Sequence, residues 1–399
     1  MKISTGIFHN NESNDFSEQN FVVLSTTDWD APQFGSRQQI SLELARRGHR
    51  VLFVEVPRAV HSLISDPEGT KRALGRIGRF RFIQPNLVAY TPLPVLPVYY
   101  HRWTNGINQR WLHGMIRATL RRLGWQPDVL WTYWPNTAYQ VRRFKQLGCQ
   151  CVYHCIDDFT AVTYPFVSSA TIARMEADQC RQVDHIFTRT EALTESKKRL
   201  NERTYYLPGG VDIAQFDPAQ VQAEAKIVQL GHPIIGFVGT FDNRVDVDLL
   251  QQAVMALPDY VFIFVGPIKQ HVTSNQAIRN RPNVVFWPAQ PHTAVPATIA
   301  AFDVCLIPYR RNRYTEGLSP IKLYEYLAMG KPVIGTRLPY LAREEAHIWL
   351  AETAGEFIEA IQQAASQPIS ADDRNRWRQA AAGYSWQEQV DRVEAILKS

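Results

Sequence analysis

Residues 314–336 read YTEGLSPIKLYEYLAMGKPVIGT. The segment SPIKLYEYLAMG predicts a helix with Ser319 near its cap and Pro320 in its first turn, set between two apolar strands, VCLIPY (304–309) and PVIGT (332–336). The first turn of such a helix offers free backbone N–H groups and a positive dipole end, which together suit a phosphate. Gly317, Leu318 and Ser319 would form that cradle, with Gly317 letting the backbone come close. Lys322 adds a point charge, and Glu325, about one turn further on, can accept hydrogen bonds from neutral hydroxyls. Phosphates beside a diol describe a nucleotide. Taken alone, the same two side chains also fit a surface ion pair on an amphipathic helix. The neighbouring strands favour the nucleotide, because they put the helix start at the ligand-binding edge of a sheet.

Strand and helix patterns alternate in both directions from that stretch. Upstream, PIIGFVGTF, YVFIFVGP and NVVFWPA read as strands separated by helical sequence. In the first half, FVVLSTTDWD, VLFVEVP, DVLWTYW, CVYHCID and HIFTRT repeat the alternation. Two doubly wound parallel sheets, each Rossmann-like, therefore face a cleft in an α/β chain of 399 residues. The boundaries read as a loose tail (1–20), an N-terminal domain (21–208), a C-terminal domain (209–385) and a closing helix (386–399), with Pro208-Gly209-Gly210 as the linker.

Composition narrows the class. At 45% hydrophobic and 20% charged residues, the chain folds. Five cysteines without a disulfide framework point to reduced thiols and a cytoplasmic setting; the CQCVYHC cluster reads as small buried thiols, with no second ligand pair at zinc spacing. No secretory leader or membrane span is legible. From Gly69 to Pro127 there are ten Lys and Arg and no Asp or Glu, interleaved with aromatics. Without a nucleic-acid module, residues 71–122 read as a surface for anionic membrane, which would put the protein at the inner face of the membrane, with a solvated basic face as the plain alternative. The loop DWDAPQFGSRQQI carries Gly35 and Ser36 just before a helix, either as a ligand-approaching loop or as chain punctuation. Asp157 and Asp158 end the strand CVYHCID at the cleft edge; Asp157 is the candidate base, Asp158 suits a turn cap, and His154 reads as a core histidine.

The motifs GFVGTFDNRVDVDLL, IAAFDVCLIPY and SPIKLYEYLAMGKPVIGT resemble those of GT-B glycosyltransferases of the family-4 type, including the bacterial polysaccharide and teichuronic acid transferases. The closing YSWQEQVDRVEAILKS resembles the helix that returns to the first domain in that fold. The resemblance implies a nucleotide diphosphate sugar donor, UDP-linked as the first choice, and a glycan or polyprenyl-linked acceptor. It places Gly239 and Thr240 beside the diphosphate, Lys322 on phosphate, Glu325 on the ribose, and main-chain groups near Ala289 and Gln290 on the base. That family often has two glutamates separated by seven residues; here Gly317 occupies the first place and Glu316 stands one residue too early. No metal is expected, since the helix start and Lys322 supply positive potential. Two alternatives stay open: a nucleotide-sugar 2-epimerase, which shares the two-sheet fold and needs no acceptor, and a noncatalytic nucleotide or glycan binder. No GxGxxG follows the first strand and no Walker A loop occurs, which sets aside a dehydrogenase and an ATPase.

Overall fold

The computed structural model describes residues 18–31, 34–59, 75–97, 101–160, 167–269 and 276–399. Most of the expected tail (1–17), and Lys71 and Arg72 of the basic stretch, lie outside the described residues.

The first sheet contains β1 (Asn20–Leu24), β2 (Arg50–Val54), β3 (Phe80–Gln84), β4 (Leu87–Tyr90), β5 (Val129–Thr132), β6 (Gln150–Cys155), β7 (His185–Thr188) and β8 (Thr204–Tyr206). Their order is β3-β4-β2-β1-β5-β6-β7-β8, parallel except for β3 against β4. The second sheet contains β9 (Ile234–Val238), β10 (Val261–Val265), β11 (Val284–Trp287), β12 (Val304–Ile307), β13 (Val333–Thr336) and β14 (Trp349–Ala351), in the order β11-β10-β9-β12-β13-β14 and all parallel. In both, the strand order reverses beside the first strand, which opens a crevice at the carboxyl edge. The central strands are buried on both faces, as β1 (Phe21 to Leu24) and β12 (Val304 to Ile307) show, which is why they read as continuous apolar runs.

Sequence reading missed β3, β4, β8 and β14. The stretch FRFI, assigned to a basic membrane surface, is the antiparallel edge strand β3. Its charges are spent internally: Arg81 donates to Asp30 at 2.7 Å and to buried Glu55 at 2.9 Å, and Arg76 also pairs with Asp30. All five cysteines are free and buried, and burial pushes the Cys149 thiol up to about 12.

The chain passes between the sheets at residues 207–211 and returns at 384–386. Val211 N–H donates to Tyr384 O at 3.0 Å and Trp386 N–H to Val211 O at 3.1 Å. A Cβ on Gly210 would lie 2.8 Å from Tyr384 O, so the crossing admits no side chain there. The closing helix Trp386–Lys398 then buries Trp386, Val390, Val393 and Leu397 in the core of the first domain. It is also tied by charge. Arg47 donates to Asp391 at 2.6 Å and Glu394 at 3.2 Å. Gln19 N–H donates to His49 Nδ1, which leaves the ring proton on Nε2, 3.3 Å from Glu394 Oε1.

Burial alone would raise the Glu394 carboxyl, but His49 and Arg47 outweigh it and hold it below the ordinary value. A depressed carboxyl contributes stability above its unfolded pKa, about 4.3, and loses it as pH falls through the folded value. The melting temperature of Glu394→Gln should therefore lie below that of the wild type at pH 7, with the gap closing as the pH approaches 3. A gap that stays constant with pH would show that the carboxylate charge is not what docks the helix.

Candidate active site

A cavity of about 470 Å³ lies between the carboxyl edges of the two sheets. Thr27, Phe34, Gly35, Ser36, Arg37, Ile156, Asp157 and Arg189 form its N-terminal wall. Residues 238–240, Arg244, 265–267, 289–290, His292, Tyr309, Tyr314, 318–322 and Glu325 form the opposite one. Of the residues chosen from sequence, Asp157, Gly35, Ser36, Gly239, Thr240, Ala289, Gln290, Leu318, Ser319, Lys322 and Glu325 are brought together here.

The floor of the second wall is built by glycines. Gly239 and Gly266 follow β9 and β10 with φ of +147° and +139°, a region side chains rarely enter. A Cβ on Gly266 would sit 2.3 Å from Gly239 O, and one on Gly239 would sit 2.5 Å from Lys322 Nζ. The lysine therefore stands directly over the turn after β9. Its Nζ donates to Tyr309 Oη at 2.9 Å and lies 4.0 Å from the Phe237 ring centroid. Burial lowers the Lys322 pKa, and the Tyr309 hydroxyl offsets part of that. A half-buried ammonium whose closest contacts are a phenol and ring faces is suited to an anion.

Two of the sequence expectations change. The helix begins at Lys322 and ends at Ala328, and Ser319 lies three residues before it. Pro320 has no N–H and biases Ser319 toward extended backbone, so the chain turns in through two three-residue bonds, Leu323 N–H to Pro320 O (3.2 Å) and Tyr324 N–H to Ile321 O (3.0 Å). The cradle is thus the non-helical run 318–320 leading into Ile321, the residue before the helix, rather than a first turn begun at Ser319. Gly317 does not line the cavity; its φ is −87° and an added Cβ would meet Tyr314 O at 3.6 Å, an ordinary contact, so nothing there requires glycine. Glu316, on the short helix Arg313–Glu316, is not in the cavity wall either.

Glu325 is held from across the wall: His292 Nε2 is 3.4 Å from its Oε1. His292 in turn faces Phe34 of the first domain at 5.5 Å and Phe216 at 5.7 Å, and Gln215 donates to its carbonyl at 2.9 Å. Gly35 precedes the helix Ser36–Arg46, and its N–H donates to Gln38 Oε1 at 3.2 Å. Asp158 Oδ1 accepts from Thr160 N–H at 3.0 Å, closing a turn, while Asp157 lines the cavity. His154 is packed among Tyr133, Trp131 and Phe187. Burial lowers its pKa well below the ordinary value, with Arg189 and Arg37 adding to the effect.

Sequence reading missed Arg37, Arg189, Arg244, Tyr309 and His292. Arg244 stood inside a quoted motif. It forks onto Asp242, Nε to Oδ1 at 2.8 Å and Nη2 to Oδ2 at 2.7 Å. Burial works against the Arg244 charge, and Asp242 more than offsets it.

Residues 232–367 match the family described as Glycosyl transferases group 1. That match lies within the C-terminal domain and covers about a third of the chain. TuaH of Bacillus subtilis (strain 168), named for teichuronic acid biosynthesis, is 33% identical over 141 residues, a stretch that covers only 35% of this chain and 35% of that relative. The 2-deoxystreptamine glucosyltransferase of Streptomyces kanamyceticus is 25% identical over 260 residues, 58% of this chain and 67% of that one. Alr3699/HepE of Anabaena, solved in complex with UDP, superposes with a TM-score of 0.63 at 13% identity over 96% of this chain and 99% of that one. The whole chain thus has the GT-B glycosyltransferase fold, two sheets facing a cleft.

Lys322→Met preserves the buried stem between Phe237 and Tyr309 and removes only the charge, whereas alanine would also open a hole. Lys322→Met and Glu325→Gln should each weaken nucleotide diphosphate binding by about 1.5–3 kcal/mol, the worth of a charge-assisted contact. Titration calorimetry reads this directly; unchanged affinity in both variants would remove the nucleotide from this wall.

Proposed function

We propose that the protein transfers a sugar from a nucleotide diphosphate sugar to a hydroxyl of a glycan or polyprenyl-linked acceptor in cell-surface polysaccharide synthesis. The observation that carries this reading is Lys322, standing over the turn after β9 with its ammonium in the cleft and its nearest contacts neutral. Gly239, Thr240 and the run 318–321 surround the same point and would hold the diphosphate, Glu325 with His292 the ribose, and the chain at Ala289 and Gln290 the base. UDP is the first choice of nucleotide, in keeping with HepE, a protein of the same fold solved with UDP.

Chemistry then proceeds between the walls. The acceptor oxygen forms a bond to C1 of the sugar as the C1–O bond to the diphosphate breaks. The acceptor's proton passes to the Asp157 carboxylate, and the charge gathering on the leaving diphosphate faces Lys322. In Asp157→Asn the shape is kept and the proton acceptor removed. With UDP-sugar and polyprenyl-linked glycan as substrates, turnover should fall by about 10²–10⁴-fold at little change in donor affinity. Near-native turnover would leave the departing diphosphate oxygen as the proton acceptor.

A lipid-linked acceptor calls for a membrane face. Among the described residues no helix is long and apolar enough to cross a bilayer. The helix Arg102–Leu123, however, carries Trp103, Ile107 and Trp111 at 78%, 54% and 53% exposure. Arg110 and Arg121 are exposed along the same face, and the helix has no acidic residue. This is the pattern of an interfacial helix, with apolar rings to insert and cations for lipid phosphates. It narrows the basic surface expected over 71–122, since Arg76 and Arg81 are spent on acidic partners. Co-sedimentation with anionic vesicles should fall with salt and fall again in Trp103→Ala/Trp111→Ala. Equal binding to neutral vesicles would argue against the charge-assisted face.

A further inference from the structure

Two cations in the N-terminal wall have no partner. Neither the Arg37 nor the Arg189 side chain donates a hydrogen bond or forms an ion pair among the described residues, and the Nε of each is buried. Arg37 lies over the Tyr133 ring at 5.6 Å. Burial weakens its hold on its proton; the Asp157 carboxylate offsets part of this, and the Arg189 guanidinium adds to it, so the two arginines repel one another. His154 Nδ1, within the field of these arginines, is also buried without a partner. Buried polar atoms are nearly always satisfied, so three orphans in one neighbourhood point to a missing group. Elsewhere the fold matches its arginines to carboxylates, as Arg47, Arg81 and Arg244 show.

We infer that Arg37 and Arg189 form an oxyanion subsite that receives a carboxylate or phosphate carried by the acceptor. The inference rests on the transferase reading above. Guanidinium forks match planar and tetrahedral oxyanions in a way an ammonium does not. The pair lies on the same wall as Asp157, the acceptor side, whereas Lys322 and Gly239 claim the donor diphosphate on the other wall. Arg189 also borders the crossing: a Cβ on Gly209 would meet Arg189 Nη2 at 3.3 Å and Ile321 Cγ1 at 3.0 Å. An anion at the pair would thus sit deep in the cleft, where it fixes an acceptor's orientation toward Asp157. An acceptor without such a group would leave two partly buried cations unpaired, so the subsite selects for negative charge.

Titration of inorganic phosphate into the full-length protein, with and without saturating UDP, tests this. Phosphate should bind the UDP-saturated protein, and Arg37→Gln or Arg189→Gln should each weaken it about tenfold or more while UDP affinity stays within about twofold. The ligand-free variants should melt no lower than the wild type, because each substitution relieves a like-charge pair. Phosphate that competes with UDP, together with a tenfold loss of UDP affinity in the variants, would assign the arginines to the donor diphosphate and overturn the acceptor assignment. Phosphate affinity unchanged in Arg37→Gln/Arg189→Gln would overturn the subsite altogether. Should UDP fail to bind the wild type, the donor reading fails, and titration of the ligand-free protein still decides whether the pair holds an anion.

Discussion

The two carboxyl edges face each other because the chain crosses between the sheets twice at one place. Outward at 207–211 and back at 384–386, the strands of that crossing are hydrogen-bonded to one another and packed so closely that Gly210 has no room for a side chain. The closing helix then anchors the second domain's chain end in the core of the first. With both connections at one end of the cleft, rotation of one domain against the other changes the separation of the walls least near Arg189 and Ile321 and most at their far ends.

Charge in the cleft is arranged on that frame. The acidic side chains that could neutralise it are either diverted or kept at a distance: Asp242 is taken by Arg244, Asp158 closes a turn, and Glu325 is held by His292. What remains facing the cavity is Lys322 on one wall and Arg37 with Arg189 on the other, with Asp157 among the arginines. Burying cations without partners costs stability, and folds tolerate it where a ligand repays the cost. The backbone contributes as well, since only glycine permits the φ and the close approach at Gly239 and Gly266 that bring the turns beneath the lysine.

How much of this could be read in advance depended on range. Alternating apolar strands and helices exposed both sheets, because parallel strands buried on two faces leave continuous runs such as FVVL and VCLI. The placement of Lys322, Glu325 and Asp157 at the cleft was legible because Asp157 follows the strand β6 and the other two open the helix between β12 and β13. The edge strand β3 was not, since an edge strand with Arg81 in it has the composition of a surface, and its partners Asp30 and Glu55 lie 51 and 26 residues away in sequence. Arg37 and Arg189 were invisible for the same reason: what marks them is the absence of a partner in space. The exact start of the helix at Lys322 depended on how Pro320 shifts the first turn, a matter of one or two hydrogen bonds.

Placement of the unpaired charges also bears on the order of events in the cleft. The side chains proposed to meet the donor are largely preset, because Lys322 is fixed by Tyr309 and Phe237, and Glu325 by His292. His292 faces Phe34 of the first domain with tilted rings, so the second wall and the glycine loop at Gly35 meet through a ring contact. A donor that engages Glu325 therefore bears on a contact between the domains, and whatever steadies His292 also steadies Phe34 and the loop that leads to Arg37. Filling the donor wall would thereby hold the arginines of the acceptor wall in place, and an anionic acceptor arriving second would meet a subsite whose geometry is already set.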